Sequence, residues 1–135
     1  MAKNIADASA VIAFLDASDS QNKWATAQFS RFDFLETCSP ALAEACARMR
    51  FAGLEETLPL KMVRAGFLRV TFDESKNITR VIELMEKYSD LPMDFADACL
   101  VAMSEEQKDS VVLTLDSDFK IYRRHGRGHI PMLSP

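Results

Sequence analysis

Two short apolar runs, Lys3 to Ala6 and "SVVLTL" from Ser110 to Leu115, read as β-strands, and each leads straight into an aspartate, Asp7 or Asp116. Around them, further strand-like segments alternate with stretches whose apolar residues recur at helical spacing. This alternation is what most constrains the fold. Successive β and α units bury both faces of a parallel sheet, which makes the chain an α/β protein of three layers, with helices over both faces. In such sheets ligands bind beyond the carboxyl ends of the strands, where the strand order reverses. Asp7 and Asp116 stand at such ends.

The run Ala10 to Leu15 reads as a buried helix turn, and Ser20 as the N-cap of a helix carrying Trp24, Ala27, Gln28 and Arg31. "FLETCSP" gives a second strand, followed by Ser39 as N-cap and Pro40 at the first helical position. Leu42, Ala45, Cys46 and Met49 then form an apolar stripe that Gly53 ends. A helix from Leu54 to about Ala65 is broken by Gly66, and "FLRVTF" is the third strand. Ile78, Val81, Ile82 and Met85 mark an amphipathic helix, a further helix spans Asp94 to Glu106, and "IPMLSP" closes the chain as an edge strand. With 135 residues, no repeat and no linker, the expectation is one domain over residues 1–135.

A hydrophobic share of 48% rules out a disordered chain. The apolar runs fall far short of the ~18 residues a membrane span needs, and no signal-peptide pattern precedes them, so a cytoplasmic protein without membrane contact is expected. Cys38, Cys46 and Cys99 show no metal-ligand spacing and read as reduced core residues. The net charge of -4 argues against a broad basic face as the main grip on nucleic acid.

Asp7, Glu44, Asp97 and Asp116 each lie beside a stretch expected in the core, so folding would gather their charges. Two carboxylates ~4 Å apart repel by roughly 4 kcal/mol near a protein surface, and protonation or a bound cation must relieve that. With oxygen donors and no His or Cys beside them, the expected ion is hard: Mg²⁺ or Mn²⁺. Singly, each acid has a plainer role. Asp94 and Asp97, three apart, suit a helix cap and its first turn, Glu44 suits an ion pair with Arg48, and Asp7 and Asp116 suit local turns.

Together, "IADASAVIAFLD", "SPALAEA", "LPMDFADACLVAMSEE" and "VVLTLDSDF" occur in the order and approximate spacing of the PIN-domain family, and the chain resembles its VapC-type toxin ribonucleases throughout. The resemblance implies a parallel sheet of order 3-2-1-4-5 that brings Asp7 beside Asp116. It implies Asp7, Glu44, Asp97 and Asp116 as catalytic, metal-holding acids around Mg²⁺ or Mn²⁺, with Ser9 in the family's hydroxyl position and Asp94 and Asp118 in support. The implied activity is endoribonuclease cleavage of RNA by water, leaving a 5′-phosphate. The implied setting is a type II toxin–antitoxin pair, with a cognate antitoxin and a homodimeric toxin.

Outside those motifs, "KIYRRHGRGH" gathers Arg123, Arg124 and Arg127 as candidate contacts to the RNA backbone, with a solvated loop as the plainer reading. Met49, Phe51, Leu54, Leu58, Met62 and Phe67 are candidates for a dimer or antitoxin surface, and Trp24 for the core. A haloacid-dehalogenase-type phosphatase fails because Ser9 stands where its second aspartate belongs. A phospho-receiver module lacks paired acids after the first strand and a lysine in "IPMLSP". A PIN-like scaffold that binds RNA or protein without cutting remains the alternative, and metal titration separates it from an enzyme.

Overall fold

Strands apolar on both faces are stable only where helices cover each side, and the computed structural model, which describes residues 3–135, shows that arrangement. β1 (Asn4–Ala6) is central, flanked by β2 (Leu35–Thr37), and β3 (Leu68–Val70) lies outside β2. On the other side of β1 lies β4 (Val111–Leu113). A separate antiparallel hairpin, β5 (Arg123–Arg124) and β6 (Gly128–His129), precedes β7 (Met132–Leu133), which completes the main sheet beside β4. Every pairing in that sheet is parallel, with Ile5 opposite both Glu36 and Val112. The order 3-2-1-4-7 is the expected topology: "IPMLSP" is the fifth strand of the sheet, and only the hairpin changes its number.

Alternate strand residues point to opposite faces, so two cores form. Ala6, Leu35 and Leu113 pack with α1 (Ala8–Leu15), α3 (Ser39–Phe51) and α4 (Leu58–Ala65), joined by Phe29 of α2 (Asn22–Phe29). Ile5 and Val112 face α5 (Ile78–Lys87) and α6 (Phe95–Glu106). No helix among the described residues is long and apolar enough to cross a membrane.

Several boundaries differ from the sequence expectation, for local reasons. Asp19, not Ser20, organises the start of α2: its carboxylate accepts the Gln21 N–H at 2.8 Å, Gln21 is the N-cap, and Arg31 falls beyond the helix. Trp24 is only half-buried. Cys38 is the N-cap of α3, and Glu74 from the loop after β3 accepts the Ser39 N–H at 3.3 Å. α4 starts at Leu58, not Leu54, with Pro59 in its first turn, where a missing N–H breaks no helical bond. Gly66 ends it at φ 89°, a left-handed cap that suits glycine. On α5, Val81 and Leu84 are buried, whereas Ile78 and Ile82 face solvent. The proposed apolar surface divides likewise, with Met49 and Met62 in the core and Phe51, Leu54 and Phe67 exposed.

Candidate active site

The carboxyl ends of β1 and β4 meet where the strand order reverses, and Asp7 is held there by both neighbours. Its N–H donates to the Leu113 carbonyl at 3.2 Å. Oδ1 accepts from the Ala10 N–H at 2.9 Å, capping α1, and from the Ser9 hydroxyl at 2.6 Å. Oδ2 accepts from the hydroxyl of Thr114, which itself accepts the Asp116 N–H at 2.8 Å. Ser9 Oγ also accepts the Leu115 N–H at 2.9 Å. Two hydroxyls thus tie the segment after β4 to Asp7. Thr114 escaped the sequence reading, although a hydroxyl inside the apolar "VVLTL" was its signal.

α6 supplies the next acids. Asp94 is its N-cap, accepting the Asp97 N–H at 2.8 Å, so the plainer role expected for it is real. Asp97 accepts from the Tyr122 hydroxyl at 3.1 Å, and Tyr122 is wedged edge-on against Tyr88 and Phe119. Tyr122 is a second residue that sequence reasoning missed, because nothing local links it to an acid 25 positions away.

Asp7, Glu44, Asp94, Asp97 and Asp116 line one cavity of about 320 Å³, together with Ser9 and two residues not anticipated there, Asp19 and Arg48. Asp118 is not part of its wall; its N–H instead donates to Asp116 Oδ1 at 2.9 Å. Burial, and then the charges of Asp94 and its neighbours, push Asp97 up to about 7. Burial likewise raises Glu44, with Asp94 adding to it, and Arg48, one turn on, partly offsets the effect. Asp7, only 5% exposed, is raised by desolvation against the opposing pull of Ser9, Thr114 and the Ala10 N–H. Repulsion is therefore felt across the cavity. Even so, among the described residues no three side chains of the ligating kinds stand close enough to enclose an ion unaided.

The basic segment is less free than its composition suggests. Arg123 donates through one terminal nitrogen to the carbonyls of Lys120, Ile121 and Tyr122, at 2.7 to 3.1 Å. Arg124 donates to the carbonyls of Lys108 and Ser110. Arg127, in the β5–β6 turn, is exposed.

No family model and no curated protein matches the sequence. Among solved structures, the chain is similar to VapC20 of Mycobacterium tuberculosis, described as a sarcin-ricin loop cleaving toxin. The TM-score is 0.76 at 18% identity, over 88% of this chain and 94% of that one. Strand order, parallel pairing, helices on both faces and this likeness together give the chain a PIN-like fold.

Proposed function

We propose that the protein is a Mg²⁺- or Mn²⁺-dependent endoribonuclease and the toxin of a type II toxin–antitoxin pair. The observation that carries this reading is the convergence of Asp7, Glu44, Asp97 and Asp116 on one cavity at the switch point of the sheet. The charged walls offer carboxylate oxygen and neither thiolate nor imidazole, which suits a hard divalent ion. Mg²⁺ is usually held by one or two carboxylates while keeping several waters, so acids that line a cavity without enclosing a point are a fitting donor set. When bound, the ion offsets charge developing on phosphate oxygen and makes water a better nucleophile near neutral pH.

The chain's own contribution is placement. Ser9 and Thr114 fix both oxygens of Asp7. Tyr122 holds one oxygen of Asp97, a residue that lines the cavity. Asp94 anchors the first turn of α6 that carries Asp97, and the Asp118 N–H steadies Asp116. Arg123, Arg124 and Arg127 are proposed as an outlying contact to the RNA backbone, with Arg127 the most accessible.

The proposed homodimer and cognate antitoxin have two supports. Phe51, Leu54, Leu60 and Phe67 are exposed apolar side chains available to a protein partner. An acidic cavity also attracts an Arg or Lys side chain from an inhibitor.

Incubating metal-stripped protein with single-stranded RNA, then restoring Mn²⁺, tests the reaction. The expected products carry a 5′-phosphate and a 3′-hydroxyl, and form only after the ion is restored. Products ending in a 2′,3′-cyclic phosphate would mean that the RNA 2′-hydroxyl is the nucleophile. Cleavage undiminished in EDTA would overturn the metal-dependent reading.

A further inference from the structure

A cavity walled by Asp7, Asp19, Glu44, Asp94, Asp97 and Asp116 repels any polymer that carries one negative charge per nucleotide. Substrate approach therefore needs fixed positive charge beside the acids as well as a bound ion. The structure offers it at two places. Arg48 stands in the wall of the acidic cavity, exposed, on the α3 turn after Glu44. Lys120, also exposed, lines a second cavity of about 270 Å³ with Gln21 and Ser117.

The two cavities share Leu115 and Asp116 as a common wall. That wall is held in place: Ser9 Oγ takes the Leu115 N–H, Thr114 takes the Asp116 N–H, and Asp116 caps the turn Ser117–Lys120 that carries Lys120. Leu115 and Asp116 thus form a ridge between the two cavities, with Arg48 lining one and Lys120 the other.

We propose that Arg48 and Lys120 are substrate-binding residues that contact successive phosphates of a single RNA strand crossing the Leu115–Asp116 ridge, with the scissile phosphate between them. This deepens the nuclease reading and rests on it. A duplex carries its phosphates on two separated rails, whereas one ridge flanked by single cations suits one strand. Arg48 supplies a planar donor fork for phosphate oxygen, and Lys120 a mobile point charge on a long stem. These contacts orient the backbone and select no base, so they act on affinity across sequences.

The test measures kcat and KM for Mn²⁺-dependent cleavage of a short single-stranded RNA at several KCl concentrations. Wild type is compared with Arg48→Gln, Lys120→Gln and the double variant. Arg64→Gln, an exposed cation on α4, serves as a control of equal charge change. Thermal melts establish that each variant is folded. KM is expected to rise about threefold to tenfold in each single variant with kcat little changed, and the salt slope of kcat/KM to flatten by about 0.7 for each lost contact. The control should match wild type.

KM and slope equal to wild type in both single variants would overturn the ridge path while the nuclease reading stands. So would a loss in kcat alone, or an equal loss in the Arg64 control. A wild-type protein that cleaves no RNA with Mn²⁺ would overturn the nuclease reading and the ridge path with it.

Discussion

Asp97→Asn is expected to reduce Mn²⁺-dependent RNA cleavage by a hundredfold or more, while raising the melting temperature of the metal-free protein near pH 8. The substitution keeps size and shape but removes one charge from a cavity that Asp7, Glu44, Asp94 and Asp116 also line. Burial, with the charges of Asp94, Asp116 and Glu44, raises Asp97 to about 7. Because its folded value lies above its unfolded value, the folded chain holds the proton more tightly. That stabilisation is fully present below about pH 4 and is lost as pH rises through about 7. At pH 8 the ionised carboxylate therefore costs stability, roughly 1–2 kcal/mol once solvent screening in an open cleft is allowed for.

Asparagine removes this cost, so the variant's metal-free melting temperature should depend less on pH between 5 and 8. If Asp97 were only a partner of the α6 dipole, the sign would reverse. The substitution would then cost about 0.3–1 kcal/mol and spare activity. Scanning calorimetry at the two pH values, beside a cleavage assay, separates the two roles.

The second large effect concerns stability, far from the chemistry. Arg80 of α5 grips Glu105 of α6 with two parallel bonds of 2.8 and 2.7 Å, and the His125 N–H donates to the same carboxylate at 2.6 Å. The Glu105 side chain is 7% exposed, that of Arg80 33%. Burial alone would raise Glu105, but Arg80 and the His125 N–H hold it below the usual carboxylate range.

Arg80→Ala leaves a buried charge with one main-chain donor and should cost about 2–4 kcal/mol, somewhat less than severing a fully buried pair. The loss is read as a lower urea midpoint at unchanged slope. A carboxylate held low contributes stability above its unfolded value and loses it as pH falls through its folded value. The variant should therefore lose less on acidification than wild type. Replacing both partners, as Arg80→Met with Glu105→Leu, should recover most of the loss. A shift below about 0.5 kcal/mol in Arg80→Ala would reduce the pair to an ordinary surface contact.

What was legible in the sequence was whatever period and strand ends encode. Asp7 and Asp116 could be placed beyond β1 and β4 because apolar runs lead into them, and Asp97 could be set one turn into α6 because Asp94 reads as a cap. Long-range side-chain bonds left no such trace. Thr114 to Asp7 spans 107 positions and Arg80 to Glu105 spans 25, so only the folded sheet and the packed α5–α6 pair reveal them. Periodicity also misjudged α5, where Ile78 and Ile82 match the stripe yet face solvent, because α6 covers the side marked by Val81 and Leu84. Composition overstated the basic segment, since Arg123 and Arg124 spend donors on nearby carbonyls.

Calorimetric titration of the metal-stripped protein with Mn²⁺ asks whether Asp7, Glu44, Asp97 and Asp116, which line one cavity, hold a divalent cation. Saturable binding is expected, strengthening from pH 6 to pH 8, with release of protons to the buffer as Asp97 ionises and affinity at least about tenfold weaker in Asp97→Asn. Absence of saturable binding in wild type, or equal affinity in wild type and Asp97→Asn, would overturn the proposed metal site.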